Sequence, residues 1–241
     1  MKTWHKMVGT LSGLVLASAA VLYHGPVVKA APAGGTITGT VKLSGTPPKN
    51  KPIDMSKEPS CAKVHTTPID TQNVVVGPNG GLEYVVVYLK DYKDTGAPPS
   101  EVEFDQKGCQ YVPHVVALDV NQKFKVINSD QTSHNIHPLP KNNREWNKSQ
   151  PPGTAPFEES FSSEEIAIPV KCNVHPWMHG YIAVVKGPHA VTDASGNFTL
   201  QDVAPGTYTL TTWQEKYGSQ TQQVTVAPGK PAQVSITYKA M

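Results

Sequence analysis

EIAIPVKCNVHPWM, residues 165–178, reads as a β-strand that runs straight into a turn crowded with metal-ligating side chains. Ile166, Ile168, Val170 and Cys172 recur at every second position, so strand periodicity puts the cysteine on the face of the aliphatic residues. Pro169 removes a ladder hydrogen bond and marks an edge or a bulge. Beyond the strand, Cys172, His175 and Met178 follow at intervals of three, so one tight turn can bring a thiolate, an imidazole and a thioether to one point. Tyr181–Val185 then resumes as strand.

Upstream, Val115 and Ala117 alternate with their neighbours, and Phe124 and Val126 alternate with outward Lys123 and Lys125. That second run leads to Ser133-His134-Asn135-Ile136-His137, which supplies a fourth donor. Lys141–Pro156 is polar and rich in Pro and Asn, the composition of a long loop. Leu82–Leu89 (LEYVVVYL) is apolar on both faces, as a buried strand is, and polar Lys90–Ser100 reads as a linker or crossover. Nearer the start, GGTITGTVKLSG from Gly34 places Ile37, Val41 and Leu43 on one strand face. After Gly187 the chain breaks into short strands with regular turns: TDASGNFTL, VAPGTYTLTTW, QQVTVAPG and AQVSITY. With 22 Pro and 19 Gly among 241 residues and no long helical periodicity, the pattern predicts an all-β protein built of sandwiches.

A soft sulfur pair beside imidazoles suits copper, and two His, one Cys and a weak axial Met form the blue-copper set. The pairing of C-x-x-H-P-aromatic-M with a strand-end His-Asn resembles the cupredoxins, the short loop being most similar to that of amicyanin. The resemblance spans roughly Tyr84 to Lys186. It implies a Greek-key β-sandwich holding one type 1 copper ion through His134, Cys172, His175 and Met178, with Asn135 tying the two ligand loops together by hydrogen bonds. His137 is the alternative to His134, and zinc or a dead site are alternatives to copper. A dinuclear CuA site needs two cysteines in the ligand loop, and one is there. His65, His114 and His189 form no cluster in sequence for a second, open copper position, and His179 reads as a surface group. His175 sits at the outermost point of the turn beside Pro176 and Trp177. It is therefore expected to be the ligand touching solvent and the port for electrons. No phosphate-binding loop, nucleophile elbow or HExxH appears, so no enzymatic activity is expected. The function implied is one-electron transfer with unidentified redox partners, the alternative being copper holding without cycling.

Lys2, His5 and Lys6, the apolar run Leu11–Tyr23 and the small or apolar residues Val28-Lys29-Ala30 have the order of a secretory signal peptide over residues 1–30. An uncleaved membrane anchor is the alternative. Either way the rest of the chain is expected in the periplasm or outside the cell, where disulfides persist. Three cysteines less the ligand Cys172 leave Cys61 and Cys109 as a disulfide pair, with free thiols, or a second metal site together with His65 and His114, as the alternatives. A net charge of +2 and a single arginine, Arg144, give no basis for nucleic-acid binding.

T-D-x-x-G-x-F at 192–198, followed by P-G-x-Y-T-L at 205–210, resembles the carboxypeptidase regulatory-like domains, transthyretin-like sandwiches grouped with carbohydrate-binding-like folds. GGTITGTVKLSG resembles their first strand. Gly196 and Gly206 are expected as turn residues with permissive backbone angles. The expected division is a copper domain over 31–187 (core about 82–187) and a small sandwich over 188–241, completed by strands from 34–45 and 84–91 if the copper segment is an insertion. Sequential domains are the rival arrangement. Trp213 and Tyr217 could stack on a sugar, with core or edge packing as the plainer role.

Overall fold

A computed structural model describes residues 1, 34–93 and 101–241. The export segment expected over 1–30 lies, Met1 apart, outside the described residues, as do residues 94–100 of the expected linker. The chain opens with β1 (Gly35–Ser44) and β2 (Val86–Lys90). Next come β3 (Val102–Lys107), β4 (Gln110–Val112), β5 (Val115–Asp119), β6 (Phe124–Asn128) and β7 (His134–Pro138). They are followed by β8 (Lys148–Gln150), β9 (Phe157–Glu159), β10 (Glu165–Lys171) and β11 (His179–Val185). The last are β12 (His189–Val191), β13 (Asn197–Val203), β14 (Gly206–Gln214), β15 (Gly218–Val226) and β16 (Ala232–Lys239). One α-helical turn, α1 (Pro59–Ala62), and one 3-10 turn, Pro78–Gly80, lie between β1 and β2. The fold is all-β.

Four sheets form two sandwiches. Sheets β13-β1-β16 and β12-β2-β14-β15 enclose Ile37, Val41, Val87, Leu89, Leu200 and Leu210. Sheets β4-β3-β6-β9 and β5-β11-β10-β7-β8 enclose Phe104, Tyr111, Leu118, Phe124, Ile136, Ile168 and Ile182. The sheets thus join strands across the 187/188 boundary read from the sequence. β2 lies between β12 and β14, and residues 102–185 supply the second sandwich. The two sandwiches meet through Val86, Val115, Ala117, Ala183 and Trp213. This explains why β2 and β5 are apolar on both faces: Val87 and Leu89 face one core, Val86 the interface.

Two departures from simple alternation shape the second sandwich. Ala167 has φ +66°, and the β10–β11 register shifts between Glu165 and Ile168. This bulge turns Ile166 outward onto the inter-sandwich cluster and carries Glu165 inward, so the expected common face begins at Ile168 rather than Ile166. β3 (VEFDQK) was hidden by its charges, and its buried Gln106 is bonded to Ile127 O at 3.0 Å and Gln150 Oε1 at 2.7 Å. Gln150 belongs to β8, a short strand inside the stretch expected as loop. In the first sandwich Gly196 (φ +76°) makes the expected turn, its N–H donating to Asp193 O. Gly206 does not: it opens β14 without positive φ, and a Cβ there would lie 3.0 Å from the Tyr208 hydroxyl.

Candidate metal centre

β7 and β10 are antiparallel neighbours, with Lys171 opposite His137. The residue that opens β7 and the residue that follows β10 therefore meet at one end of the second sandwich. The turn between β10 and β11 is closed by Cys172 N–H to Met178 O at 3.1 Å and Met178 N–H to His175 O at 3.0 Å. His134 and His175 are 0%, Met178 1% and Cys172 4% exposed, so all four sequence-predicted ligands are out of water. The Nδ1 atoms of His134 and His175 are 2.9 Å apart, and Cys172 Sγ is 3.7 Å from His175 Nδ1. Donor atoms of His134, Cys172 and His175 all lie within 4.8 Å of one another, and Met178 packs in the same cluster as Cys172.

These residues fit a soft or borderline ion. Bond lengths of about 2.0 Å to nitrogen and about 2.3 Å to sulfur at trigonal angles separate S from N by about 3.7 Å, which is the spacing seen. The two nitrogens are closer than the about 3.5 Å the same geometry asks, as lone-pair and N–H partners are when a proton lies between them. The outer contacts fix the His134 ring. His134 Nε2 bonds Asp130 Oδ2 at 2.9 Å, which turns Nδ1 toward the sulfur. Asp130 is itself held by the N–H groups of Gly108 and Cys109, each at 2.7 Å. Despite burial, these three bonds keep its carboxyl below the ordinary range. Burial would likewise raise the Cys172 thiol, but His134 and the backbone N–H groups of Asn135, His175 and Val174 outweigh it and hold the group below the ordinary thiol range. Burial would lower His134, yet Asp130 and Cys172 hold it above the usual imidazole value. His175 is pushed down by burial and by the neighbouring His134 charge, which keeps it a neutral donor. The centre thus sets a carboxyl and a thiol, both held below their ordinary ranges, around His134, a donor set suited to a cation.

His137 stands apart from this cluster. Its Nδ1 is bonded to Asn173 Oδ1 at 3.1 Å and its Nε2 to Glu145 Oε1 at 2.7 Å. Asn135 touches the site through its backbone, N–H donating to Cys172 Sγ at 3.3 Å, while its side-chain amide goes to Asn147. The side-chain link between the two ligand loops is instead His137–Asn173.

The expected exposure of His175 is wrong, and the reason lies in a segment the sequence left blank. Residues 51–71 form a loop closed at its base by Ile53 N–H to Ile69 O and Thr71 N–H to Lys51 O. Its helix α1 carries Cys61, which is disulfide-bonded to Cys109. Met55 and Cys61 pack into the cluster holding Cys172 and Met178, and Glu58 is near enough to act on the His175 charge. His175 Nε2 is buried without a hydrogen-bond partner. Trp177, expected as part of an exposed patch, is half-buried and donates from Nε1 to Cys109 O at 3.1 Å. The alternative metal set Cys61, His65, Cys109, His114 does not assemble: the cysteines are bonded to each other and His65 Nε2 meets Gly108 O at 2.7 Å. Trp213 is buried in the inter-sandwich cluster against Tyr181, ring centroids 5.1 Å apart, and Tyr217 lies 5.9 Å from Tyr238. Neither ring stands as an open platform. Asp130 was missed, although an Asp four residues before a ligand His is a readable signal.

Comparison with known proteins bears on each half of the chain. Residues 182–239 match the family model of the carboxypeptidase regulatory-like domain. No curated protein matches the chain in sequence. Among solved structures, a purple cupredoxin from Nitrosopumilus maritimus is 22% identical over 35% of this chain and all of its own, with a TM-score of 0.31. The P52G mutant of amicyanin in its reduced Cu(I) form is 16% identical over 41% of this chain and 98% of its own, TM-score 0.31. A Cu-containing nitrite reductase from Thermus scotoductus is 16% identical over 41% of this chain, TM-score 0.34, and only 25% of its own length is spanned. The chain is thus similar to carboxypeptidase regulatory-like domains at its C-terminal end and has cupredoxins among its structural neighbours.

Proposed function

We propose that this is an exported copper protein that carries one electron, holding a single type 1 copper ion through His134, Cys172, His175 and the axial Met178. The observation that carries the reading is the convergence, out of water, of a depressed thiol and two imidazole nitrogens, the His134 ring being fixed from outside by Asp130. When bound, copper supplies the one-electron couple. Cys172 supplies the negative charge, His134 is aimed by Asp130, and the closed 172–178 turn holds His175 and Met178 whatever the charge of the ion. Four protein donors leave no open position for a substrate at this centre, and no reaction is assigned to it. The Cys61–Cys109 bond supports a periplasmic or extracellular setting. Among the described residues no helix is long and apolar enough to cross a membrane. The redox partner is taken to be another protein.

The test is the visible spectrum of the full chain with one equivalent of Cu(II), followed by electrochemical cycling. An intense thiolate-to-copper band that bleaches on reduction and returns on oxidation is expected. A colourless Cu(II) protein sinks the type 1 assignment. The burial of His175 favours a second reading, a copper-holding protein that does not cycle. Strong colour with no reversible reduction would select it.

A further inference from the structure

A second imidazole cluster lies where the two sandwiches meet. His114 immediately precedes β5, His179 opens β11, and Glu215 follows β14, so the parallel β5–β11 pair and the first sandwich each contribute. Tyr181 N–H donates to His114 O at 3.0 Å. Gly180 permits this approach, because a Cβ there would stand 2.7 Å from the same carbonyl oxygen. His114 Nε2 is 2.7 Å from Glu215 Oε2, and the two side chains are 2% and 4% exposed. The His114 and His179 rings are 5.2 Å apart at 88°, and one donor atom from each of the three residues lies within 4.8 Å of the others.

The hydrogen bond between His114 and Glu215 would suffice as a tie between sandwiches, but it leaves two polar atoms over. Glu215 Oε1 and His179 Nε2 are both buried with no hydrogen-bond partner, a state that costs stability and calls for an explanation. His179 Nδ1 is bonded to Trp177 O at 3.0 Å, so it carries the proton and Nε2 presents a lone pair. That is the arrangement of a metal-ligating histidine, oriented through its other nitrogen. A cavity of about 10 Å³, room for about one water molecule, is lined by both imidazoles, Gln72, Gln110 and Met178, Glu215 lying off its wall.

We infer that His114, His179 and Glu215 form a second metal site, for a first-row divalent ion of the zinc or copper(II) class. Two imidazoles and a carboxylate, with no sulfur, suit a borderline ion rather than a soft one. Three protein donors leave a fourth position for water, as in open zinc sites. The ion satisfies both orphaned atoms at once and joins the sandwiches. The inference is independent of whether the first cluster holds copper.

The test is titration of the full chain with Zn(II) alone, followed by calorimetry and metal analysis, in the Cys172→Ser background. His179→Gln and Glu215→Gln, one on each sandwich, are each added to that background. The expected result is that either substitution removes one bound equivalent, or weakens it at least about 100-fold, with near-UV circular dichroism unchanged. Zinc X-ray absorption of the Cys172→Ser protein should show nitrogen and oxygen neighbours with two imidazoles. Equal binding with and without either substitution overturns the site. So does a zinc spectrum lacking imidazole scattering, a readout that stands even if a variant fails to fold.

Discussion

The two ends of β10 each bury an acid whose pKa hydrogen bonds hold down, yet they are built for different ends. At the start, Glu165 is held below the ordinary carboxylate range, despite burial, by the N–H groups of Lys141, Asn142 and Asn143. Its two oxygens receive Lys141 N–H, Asn142 N–H and the Asn143 amide. Just past the other end, Cys172 receives Asn135 N–H at 3.3 Å and also faces the ring nitrogens of His134 and His175, which can serve as metal donors. An anion surrounded by N–H donors is complete and structural. A thiol whose neighbours include imidazoles able to ligate a metal is incomplete as an anion and wants a cation.

Substituting the incomplete anion should have the largest effect. Cys172→Ser should abolish the visible band and cost more than the about 100-fold in metal affinity that outlying partners cost, while far-UV circular dichroism stays the same. Next is the cover over that end. Replacing both Cys61 and Cys109 by Ser opens a 48-residue separation and should lower stability by about 4 kcal/mol in the chain-entropy model, measured by urea unfolding. It should also speed electron exchange with small redox reagents by loosening the 51–71 loop over His175; unchanged rates would mean the loop does not gate the centre. Asp130→Asn keeps the shape but removes the charge that aims His134. It should weaken copper binding about 10–100-fold, read by competition with a chelator. The smallest effect belongs to the complete anion. Glu165→Gln should cost about 1.5 kcal/mol near neutral pH and leave copper affinity unchanged. Because folding depresses the Glu165 pKa, its contribution is fully present above the ordinary value of 4.5 and is lost as pH falls through the lower folded value. Wild-type and variant stabilities should therefore converge in acid, and a gap independent of pH would refute the charge argument.

Much of this difference was readable beforehand. The period-2 pattern at 168–172 aimed Cys172 inward, and the spacing of Cys172, His175 and Met178 marked one turn. Counting cysteines paired Cys61 with Cys109. What the pattern could not show were effects that act between distant segments. The Ala167 bulge reverses Ile166 and Glu165 because one residue at positive φ shifts the strand by one place. The burial of His175 depends on a Pro- and Lys-rich loop with no periodicity, whose position is set by one covalent bond. His179 looked like a surface group because its partners, His114 and Glu215, are 65 and 36 residues away in the chain. β3 escaped notice since its inward Gln106 is polar and finds its partner only in the folded sheet.

One feature of the topology governs how the metal end is displayed. Tyr88 in β2 stands opposite His189 in β12, so the chain leaves the first sandwich and returns to it through adjacent strands. A domain hung on one linker swings through a cone, and relative motion is then the default expectation. A domain anchored at both ends to neighbouring strands of one sheet, and seated on Val86 and Trp213, has lost that swing. The first sandwich thus acts as a fixed mount, and any surface that receives it meets the Cys172 end at one constant angle. Cutting the insert out and closing β2 to β12 with a short hairpin would keep the ladder intact. It would also bare the apolar face the insert now covers, so the mount alone should be a sticky protein.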